Sequence, residues 1–220
     1  MATTNQYELG AFSETALIEI CPLGGDPKNY ASLVETIDID EGDKDMEQIV
    51  TLSGGRLYKK IPQAETTITF EGYPIGTDPA YGPSQFFAGI TNTVYDTAAA
   101  VQNYATRNRN LFRVTILWTT DTTCTTAGGN ISTGTNGYRY SVAHCLMTSC
   151  KKSFTDGVLK FTFSFKVPAF NKNGISHILE ESTPDAAGGT TTGYHLMTYN
   201  STNFPEEATT NFSWSSTTTT

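Results

Sequence analysis

The nine residues from Leu159 to Val167 alternate strictly between apolar and polar side chains. The apolar positions are Leu159, Phe161, Phe163, Phe165 and Val167, and lysine, threonine and serine lie between them. Successive side chains of a β-strand point to opposite faces, so this period of two predicts a strand with one buried and one wetter face. Pro168 cannot donate to a sheet ladder, and it is expected to end the strand.

Other stretches show the same period less cleanly. A second stripe runs through Phe112, Val114, Ile116 and Trp118, with Arg113 and Thr115 expected on a wetter face. The stretch 138–150 also reads as a strand, and residues 151–157 (KKSFTDG) predict the turn that joins it to the Leu159 strand as a hairpin. Earlier strands are predicted at Ala16–Cys21, Val34–Asp40, Gln48–Leu52 and Thr66–Tyr73, each bounded by glycine, proline or aspartate.

One helix is predicted between these groups of strands. Ser84 can cap a helix that begins near Gln85 and extends to about Ala105, with apolar residues three to four positions apart. Threonine and aromatic residues are frequent in the rest of the chain, and both favour strands. The predicted fold class is therefore mainly β, a sandwich or barrel-like domain over residues 1–182 with one flanking α-helix.

The composition changes at residue 183. From there to residue 220 threonine, serine, asparagine and glycine dominate, and lysine and arginine are absent. This segment is predicted to be a C-terminal extension outside the core. Its aromatic residues predict that part of it docks on a neighbour.

The net charge of −8 argues against a protein that binds nucleic acid through clustered basic side chains. The acidity is local, because residues 1–50 hold 11 acidic and 2 basic side chains. Its densest part comprises Asp38, Asp40, Glu41, Asp43, Asp45 and Glu47. Three interpretations stay open for this cluster: a solvated acidic loop, an irregular low-affinity calcium site, and a surface that repels DNA.

No motif of an enzyme or a cofactor site is present. His144, His177 and His195 are scattered without metal-binding spacing, and no nucleophile elbow, P-loop or dinucleotide fingerprint occurs. The four cysteines lack metal spacing and are expected to be buried free thiols. On one regular strand Cys145 and Cys150 would lie on opposite faces. The sequence thus predicts no catalysis and no cofactor, and no metal site apart from the calcium interpretation left open for the acidic cluster.

Three sequons, at Asn130, Asn200 and Asn211, raise an alternative. They suit a secreted or surface β-sandwich that binds carbohydrate or acts as an adhesive module. The chain opens without a charged and then apolar leader and has no long apolar run, so neither Sec-type export nor membrane anchoring is expected. An enzyme built on the acidic cluster is a further hypothesis, and only that cluster supports it.

The order of segments resembles the tail-tube (major tail) proteins of tailed bacterial and archaeal viruses, a family shared with contractile injection tubes. The resemblance rests on residues 9–20 (LGAFSETALIEI), on residues 35–73 with their acidic stretch and Gly-Gly-Arg turn, and on the closing strands. The closing strands begin at Phe112 and end near Phe170. The segment beyond Thr183 departs from the usual family length.

The resemblance implies hexameric rings that stack into a hollow tube, a negatively lined conduit for genome delivery within a virion tail. It implies partners as well: other copies of the chain, tail terminator, baseplate or tip and tape-measure proteins, and genome DNA that passes without specific binding. By position, Asp40–Glu47 is the candidate loop that reaches an adjacent ring. The protein would be made in the host cytoplasm and would bind no membrane.

Overall fold

The computed structural model describes residues 15–25, 27–31, 34–73, 111–132, 135–182 and 192–218. These residues form strands and turns without a helix. The strands are β1 (Thr15–Pro22), β2 (Lys28–Ala31), β3 (Val34–Asp40), β4 (Met46–Val50), β5 (Arg56–Lys60), β6 (Thr66–Gly72), β7 (Phe112–Thr119), β8 (Gly137–Thr155), β9 (Val158–Val167), β10 (Ile178–Ser182), β11 (Thr192–His195) and β12 (Ser215–Thr218). The mainly β prediction is confirmed, and the helix predicted near residues 85–105 lies outside the described residues.

One antiparallel sheet of eight strands organises the molecule. Seven strands follow the order β2-β1-β7-β8-β9-β6-β3, and β10 pairs with β8. Strands β9 and β10 follow one another along β8, because β9 pairs with residues 146–155 of β8 and β10 with residues 138–142. Pro168 lies directly after β9, as predicted. Two further pairs, β4 with β5 and β11 with β12, stand apart from this sheet.

Strand β8 is bent at two β-bulges. The first lies opposite Arg113, because Phe112 pairs with Cys145 while Val114 pairs with Val142, and His144 there has φ of 60°. The second lies between Met147 and Ser149. An extra residue on one strand bends it and increases its twist, so β8 passes from β7 to β9 and the sheet curls into a half-barrel.

One side of the sheet holds the main core. Its buried apolar side chains come from β1, β6, β7, β8 and β9, and Ile37 and Ile39 of β3 pack against them. The predicted stripe of β9 is confirmed from Phe161 to Val167, whereas Leu159, expected on the same buried face, is 37% exposed. Phe70 of β6 lies between two rings of this stripe, with centroids 4.9 Å from Phe163 and 6.1 Å from Phe165.

The opposite side of β1 and β7 is also covered, which corrects two predictions. Arg113 and Thr115 were expected on a wetter face, yet they are 4% and 0% exposed. Two segments supply the cover. In residues 196–214, Tyr199 and Phe204 are fully buried against Cys21, Ala143 and Leu179. In residues 124–131, Ala127 and Ile131 are buried against Leu17 and Leu117. Residues 196–214 of the C-terminal segment therefore lie in a core, and the expectation of an extension outside the core is wrong for them.

Two smaller predictions about β8 also change. The turn was expected over residues 151–157, but residues 151–155 continue β8 and only Asp156-Gly157 forms the turn. Both turn residues have positive φ (53° and 78°), which is typical of a two-residue hairpin loop. Cys145 and Cys150 were expected on opposite faces, but both pack against the main core. The bulge at Thr148 adds one residue and so reverses the alternation between them. All four cysteines are free thiols.

Candidate assembly surfaces

A two-stranded arm projects from one end of the sheet. Strands β3 and β6 pair within the sheet, and the chain between them continues as the separate pair β4 and β5. Every residue of β4 and β5 is exposed. The large apolar side chains exposed on or beside the arm are Met46, Ile49, Val50, Leu52, Leu57, Tyr58 and Ile61. So dense a set of exposed apolar groups on one hairpin is typical of a surface that another chain covers.

The arm is joined to the sheet by a waist, residues 41–45 and 61–65. The backbone N–H of Ile61 donates to the Asp45 carbonyl at 2.9 Å, and that of Ala64 donates to the Asp43 carbonyl at 3.1 Å. Gly42 has φ of +76°, and a Cβ atom there would lie 2.8 Å from the backbone of Ala64. The waist therefore depends on a close approach of two backbones that only glycine permits.

The six acidic residues lie on β3, the waist and the first strand of the arm, and all are exposed. Asp38 and Asp40 share a face, because β3 pairs regularly with β6 from Thr36 onward. The Asp40 carboxylate accepts from the N–H of Gly42 at 2.8 Å, and the Asp45 carboxylate accepts from the N–H of Met46 at 2.6 Å. Among the residues that the structure describes, no three His, Cys, Asp or Glu side chains come together in a group that could hold a metal ion.

Glu41, in the waist, contacts a strand in the middle of the sheet. The Tyr140 hydroxyl donates to its carboxylate at 3.2 Å. Burial, followed by the nearby Glu41 charge, raises the pKa of Tyr140 far above its usual range, so the hydroxyl keeps its proton. The side chain of Gln63 also donates to the Glu41 carbonyl, at 2.7 Å, which ties the two strands of the waist together.

The face of β3, β6, β9 and β8 that points away from the main core is polar. Hydroxyls meet across the strands, with Thr69 Oγ1 at 3.2 Å from Ser164 Oγ, and Thr162 donating to Glu71 at 3.2 Å. The register puts three carboxylates on this face, Asp38, Asp40 and Glu71, and three lysines, Lys151, Lys160 and Lys166. The carboxylates lie on β3 and β6 and the lysines on β8 and β9, so the charge changes sign across the face.

The β8–β9 tip, residues 151–160, projects from the other end of the sheet. Strand β6 pairs with β9 only as far as Phe161, so the hairpin extends past its neighbour. Phe154, Val158 and Leu159 are 73%, 43% and 37% exposed. Lys151, Lys152 and Lys160 surround them, with Lys152 Nζ 5.9 Å from the Phe161 ring centroid. The tip is thus apolar and basic.

The covered side of β1 and β7 carries a buried ion pair that sequence reasoning missed. Arg113 Nη2 donates to Glu19 Oε1 at 2.8 Å, and Arg113 Nη1 donates to the Met197 carbonyl at 2.5 Å. The guanidinium also lies 5.8 Å from the Tyr199 ring centroid. Both residues border a cleft of about 290 Å³ beside residues 196–199. Glu19 and Arg113 are 94 residues apart, so no local pattern could have indicated the pair.

Two of the scattered histidines meet on the same side. The rings of His144 and His177 lie 5.1 Å apart between centroids, and each residue is 6% exposed. Burial and then His177 lower the pKa of His144 to about 4, and burial also lowers the pKa of His177. Neither ring nitrogen of His144 has a hydrogen-bond partner in the described part of the chain. Both are buried packing histidines, which corrects the expectation from sequence that these scattered residues lie at the surface, and for His144 the expectation of satisfied polar groups as well.

The sequons occupy three different settings. Asn130 and Asn211 are exposed, and Asn200 is half-buried with its side-chain oxygen accepting from the N–H groups of Thr202 and Asn203. Their glycosylation stays a prediction.

In the described ranges, no helix is long and apolar enough to cross a membrane.

No protein-family model matches the sequence, and no curated protein matches it. Solved structures resemble the chain at low identity. The sheath/tube terminator of the PVC extracellular contractile injection system, in its extended state, is 12% identical with a TM-score of 0.43, over 74% of this chain and 92% of that one. The tube-terminating cap of the anti-feeding prophage is 11% identical with a TM-score of 0.42, over 83% and 99%. An Hcp protein is 10% identical with a TM-score of 0.36, over 80% and 98%.

Proposed function

We propose that this chain is a non-catalytic structural subunit that assembles with copies of itself into hexameric rings, and that these rings stack into the tail tube of a virion. The observation that carries the proposal is the arm, whose apolar side chains reach away from the sheet and are exposed on both strands. Met46, Ile49 and Leu57 are exposed to water in the single chain. A partner that covers them stabilises the complex by about 25 cal/mol for each Å² of apolar surface removed from water.

The sheet edges support the same proposal. Within the described part of the chain, no strand pairs with the outer edge of β2 or of β3. An open edge presents unpaired backbone donors and acceptors, and a ring of copies that share one continuous sheet removes such edges. Self-association through the edges would form the ring, and the arm would reach the adjacent ring.

The polar face of β3, β6, β8 and β9 would line the conduit. It exposes hydroxyl groups that bond one another, and Asp38 and Asp40 add negative charge at the β3 side. Carboxylates repel DNA phosphates over about 8–10 Å at physiological salt, so they would reduce adhesion of a passing genome. The lysines on β8 and β9 confine this repulsion to the part of the lumen that β3 forms. Tail terminator, baseplate or tip and tape-measure proteins would be the other partners of such a tube.

The first test is assembly of the purified chain. Negative-stain microscopy and analytical ultracentrifugation over a range of concentrations should show six-fold rings or tubes. The paired variant Ile49→Ser/Leu57→Ser, which changes two side chains that face each other across β4 and β5, should assemble at least tenfold less readily. Phe170→Ser is the matched control, because Phe170 is 46% exposed, similar to Ile49 at 43%, but lies outside the arm.

Two results would contradict the proposal. One is a monodisperse monomer at every concentration, above all if a glycan array then shows saturable binding, which would support the carbohydrate-binding alternative. The other is equal assembly of the arm variant and the wild type. Asp38→Asn/Asp40→Asn tests the lining separately, because retention of a short DNA duplex by the assembled tubes should increase at low salt.

A further inference from the structure

The arm and the β8–β9 tip lie at opposite ends of the same sheet. Strand β9 begins at the tip with Val158 and ends at Val167, which pairs with Thr66, the first residue of β6 after the waist. At about 3.3 Å per residue, the ten residues of β9 separate the two ends by roughly 30 Å. The tip of one molecule therefore cannot contact the waist of the same molecule.

The two ends are opposite in charge. The tip carries Lys151, Lys152 and Lys160 with a single acidic residue, Asp156. The waist carries Glu41, Asp43, Asp45 and Glu65 with a single lysine, Lys44, while Lys59 and Lys60 of β5 lie opposite Glu47 and Met46 on its arm side. Complementary potentials on two surfaces steer their encounter and disfavour contacts between like surfaces.

Both ends also expose apolar side chains beside the charges. Phe154 and Leu159 pair across β8 and β9 at the tip, and both are exposed. Met46 and Ile61 flank the waist and are 57% and 40% exposed. Apolar groups beside complementary charges are what an interface needs, because the apolar groups supply affinity while the charges fix orientation.

We propose that the β8–β9 tip of one copy docks on the acidic waist of a second copy, with the lysines of the tip facing the carboxylates of residues 38–47. The contact is heterologous, because it joins two different surfaces. In a pair of copies, one copy keeps its waist free and the other keeps its tip free. Such a contact repeats without closing when its rotation does not return to the start, so it adds copies along the strand direction. This inference rests on the proposed tube and names the surfaces that stack it.

The test is charge reversal at each end, with restoration. Lys151→Glu/Lys152→Glu should reduce assembly at least tenfold, and so should Asp43→Lys/Asp45→Lys. The chain that carries all four changes has the wild-type net charge and should regain assembly. Circular dichroism and thermal unfolding of each variant separate lost docking from lost folding, which is not expected, since residues 43, 45, 151 and 152 are all exposed.

Cross-linking gives an independent readout. Wild-type chains labelled with ¹⁴N and with ¹⁵N are mixed, assembled and treated with a zero-length carbodiimide. Cross-linked peptides that join a lysine of the tip to a carboxylate of the waist should contain both isotopes. The inference would be overturned if every tip-to-waist peptide contained one isotope only, which would mean that the two ends meet within one chain. It would also be overturned if the tip were cross-linked only to other surfaces.

The outcomes for the inference and for the proposed function are distinct. If the wild type does not assemble, the proposed function fails. If the wild type forms tubes and the two charge-reversed variants form them equally well, the tube stands and the tip-to-waist contact is wrong. Loss of assembly in both variants without recovery in the fourfold variant also contradicts the contact, provided that all chains are folded.

Discussion

Arg113 and Glu19 form a 2.8 Å ion pair in which both side chains are only 4% exposed. The pair joins neighbouring strands, β7 and β1, and Arg113 also donates to the carbonyl of Met197 in the segment that covers them. A close approach holds the carboxylate in place, because a Cβ atom on Gly128 would lie 2.6 Å from Glu19 Oε2. One buried guanidinium therefore connects the sheet to the C-terminal segment.

Arg113→Met should be strongly destabilising. It leaves the Glu19 carboxylate buried without its cation, and breaking a buried pair by removing one partner costs about 3–5 kcal/mol. Urea unfolding at concentrations where the protein does not assemble measures the loss. Lys172→Met is the control, because the Lys172–Glu207 pair is 62% and 68% exposed and should change stability by less than about 0.5 kcal/mol. Equal effects of the two variants would contradict the buried role of Arg113.

Phe204→Ala should loosen the whole C-terminal cover. Phe204 is 0% exposed, with its ring 5.4 Å from that of Tyr199 and 5.1 Å from that of Phe212. Truncating a buried phenylalanine costs about 3–5 kcal/mol, and limited proteolysis should then cut within residues 192–218 before the rest of the chain unfolds. Phe154→Ala is the control, since Phe154 is 73% exposed, and its stability should be close to that of the wild type. Resistance of the Phe204 variant to the protease would show that the segment is held by other contacts.

Gly42→Ala should distort the waist. The change places a Cβ atom 2.8 Å from the Ala64 backbone in addition to the left-handed φ of +76°. Gly54→Ala is a matched control, because Gly54 has φ of +79° but nothing within 4 Å of the added Cβ. The left-handed conformation alone costs about 1–2 kcal/mol in either variant, so the excess loss of Gly42→Ala in thermal unfolding reports the close approach. No difference between the two would mean that the strands of the waist can move apart.

The stability of the fold should fall in mild acid because of the histidine pair. The pKa of His144 is about 4 in the folded chain and about 6.5 in the unfolded chain. Between these values the unfolded state binds more protons, so stability decreases as pH falls from about 6.5 to about 4 and does not depend on His144 above about pH 7. The slope for one histidine is at most about 1.4 kcal/mol per pH unit. His177, whose pKa is lowered by burial, adds to it in the same direction.

His144→Asn removes one of these two titrations and tolerates the positive φ of 60° at this position. Urea unfolding at several pH values between 4 and 7 should therefore show a shallower decline for the variant than for the wild type. An unchanged slope would mean that His144 does not carry the acid sensitivity.

Periodicity predicted the strands in which one face is buried and the other is wetter along the length of the strand. In β9 every second residue from Phe161 to Val167 is buried, and Pro168 follows the strand, because alternation and a missing N–H act locally. The sequence also predicted β3 with its observed bounds, and it predicted that β8 and β9 form a hairpin, although the turn is shorter than expected. Periodicity failed for β7, where Arg113 and Thr115 are buried and Arg113 donates to Met197, 84 positions away in the chain.

The sequence by itself determined a mainly β chain, an acidic stretch and a hairpin that joins β8 to β9, because these depend on neighbours within a few residues. Only the tertiary structure decided which side of β7 is covered, how Glu19 meets Arg113, and on which face Cys150 lies. A single bulge residue reverses the alternation of a whole strand, and a segment docks wherever enough apolar surface remains uncovered. The opposite placement of the arm and the β8–β9 tip follows from strand pairing between distant segments, which is why the surfaces proposed for assembly could be located only on the folded chain.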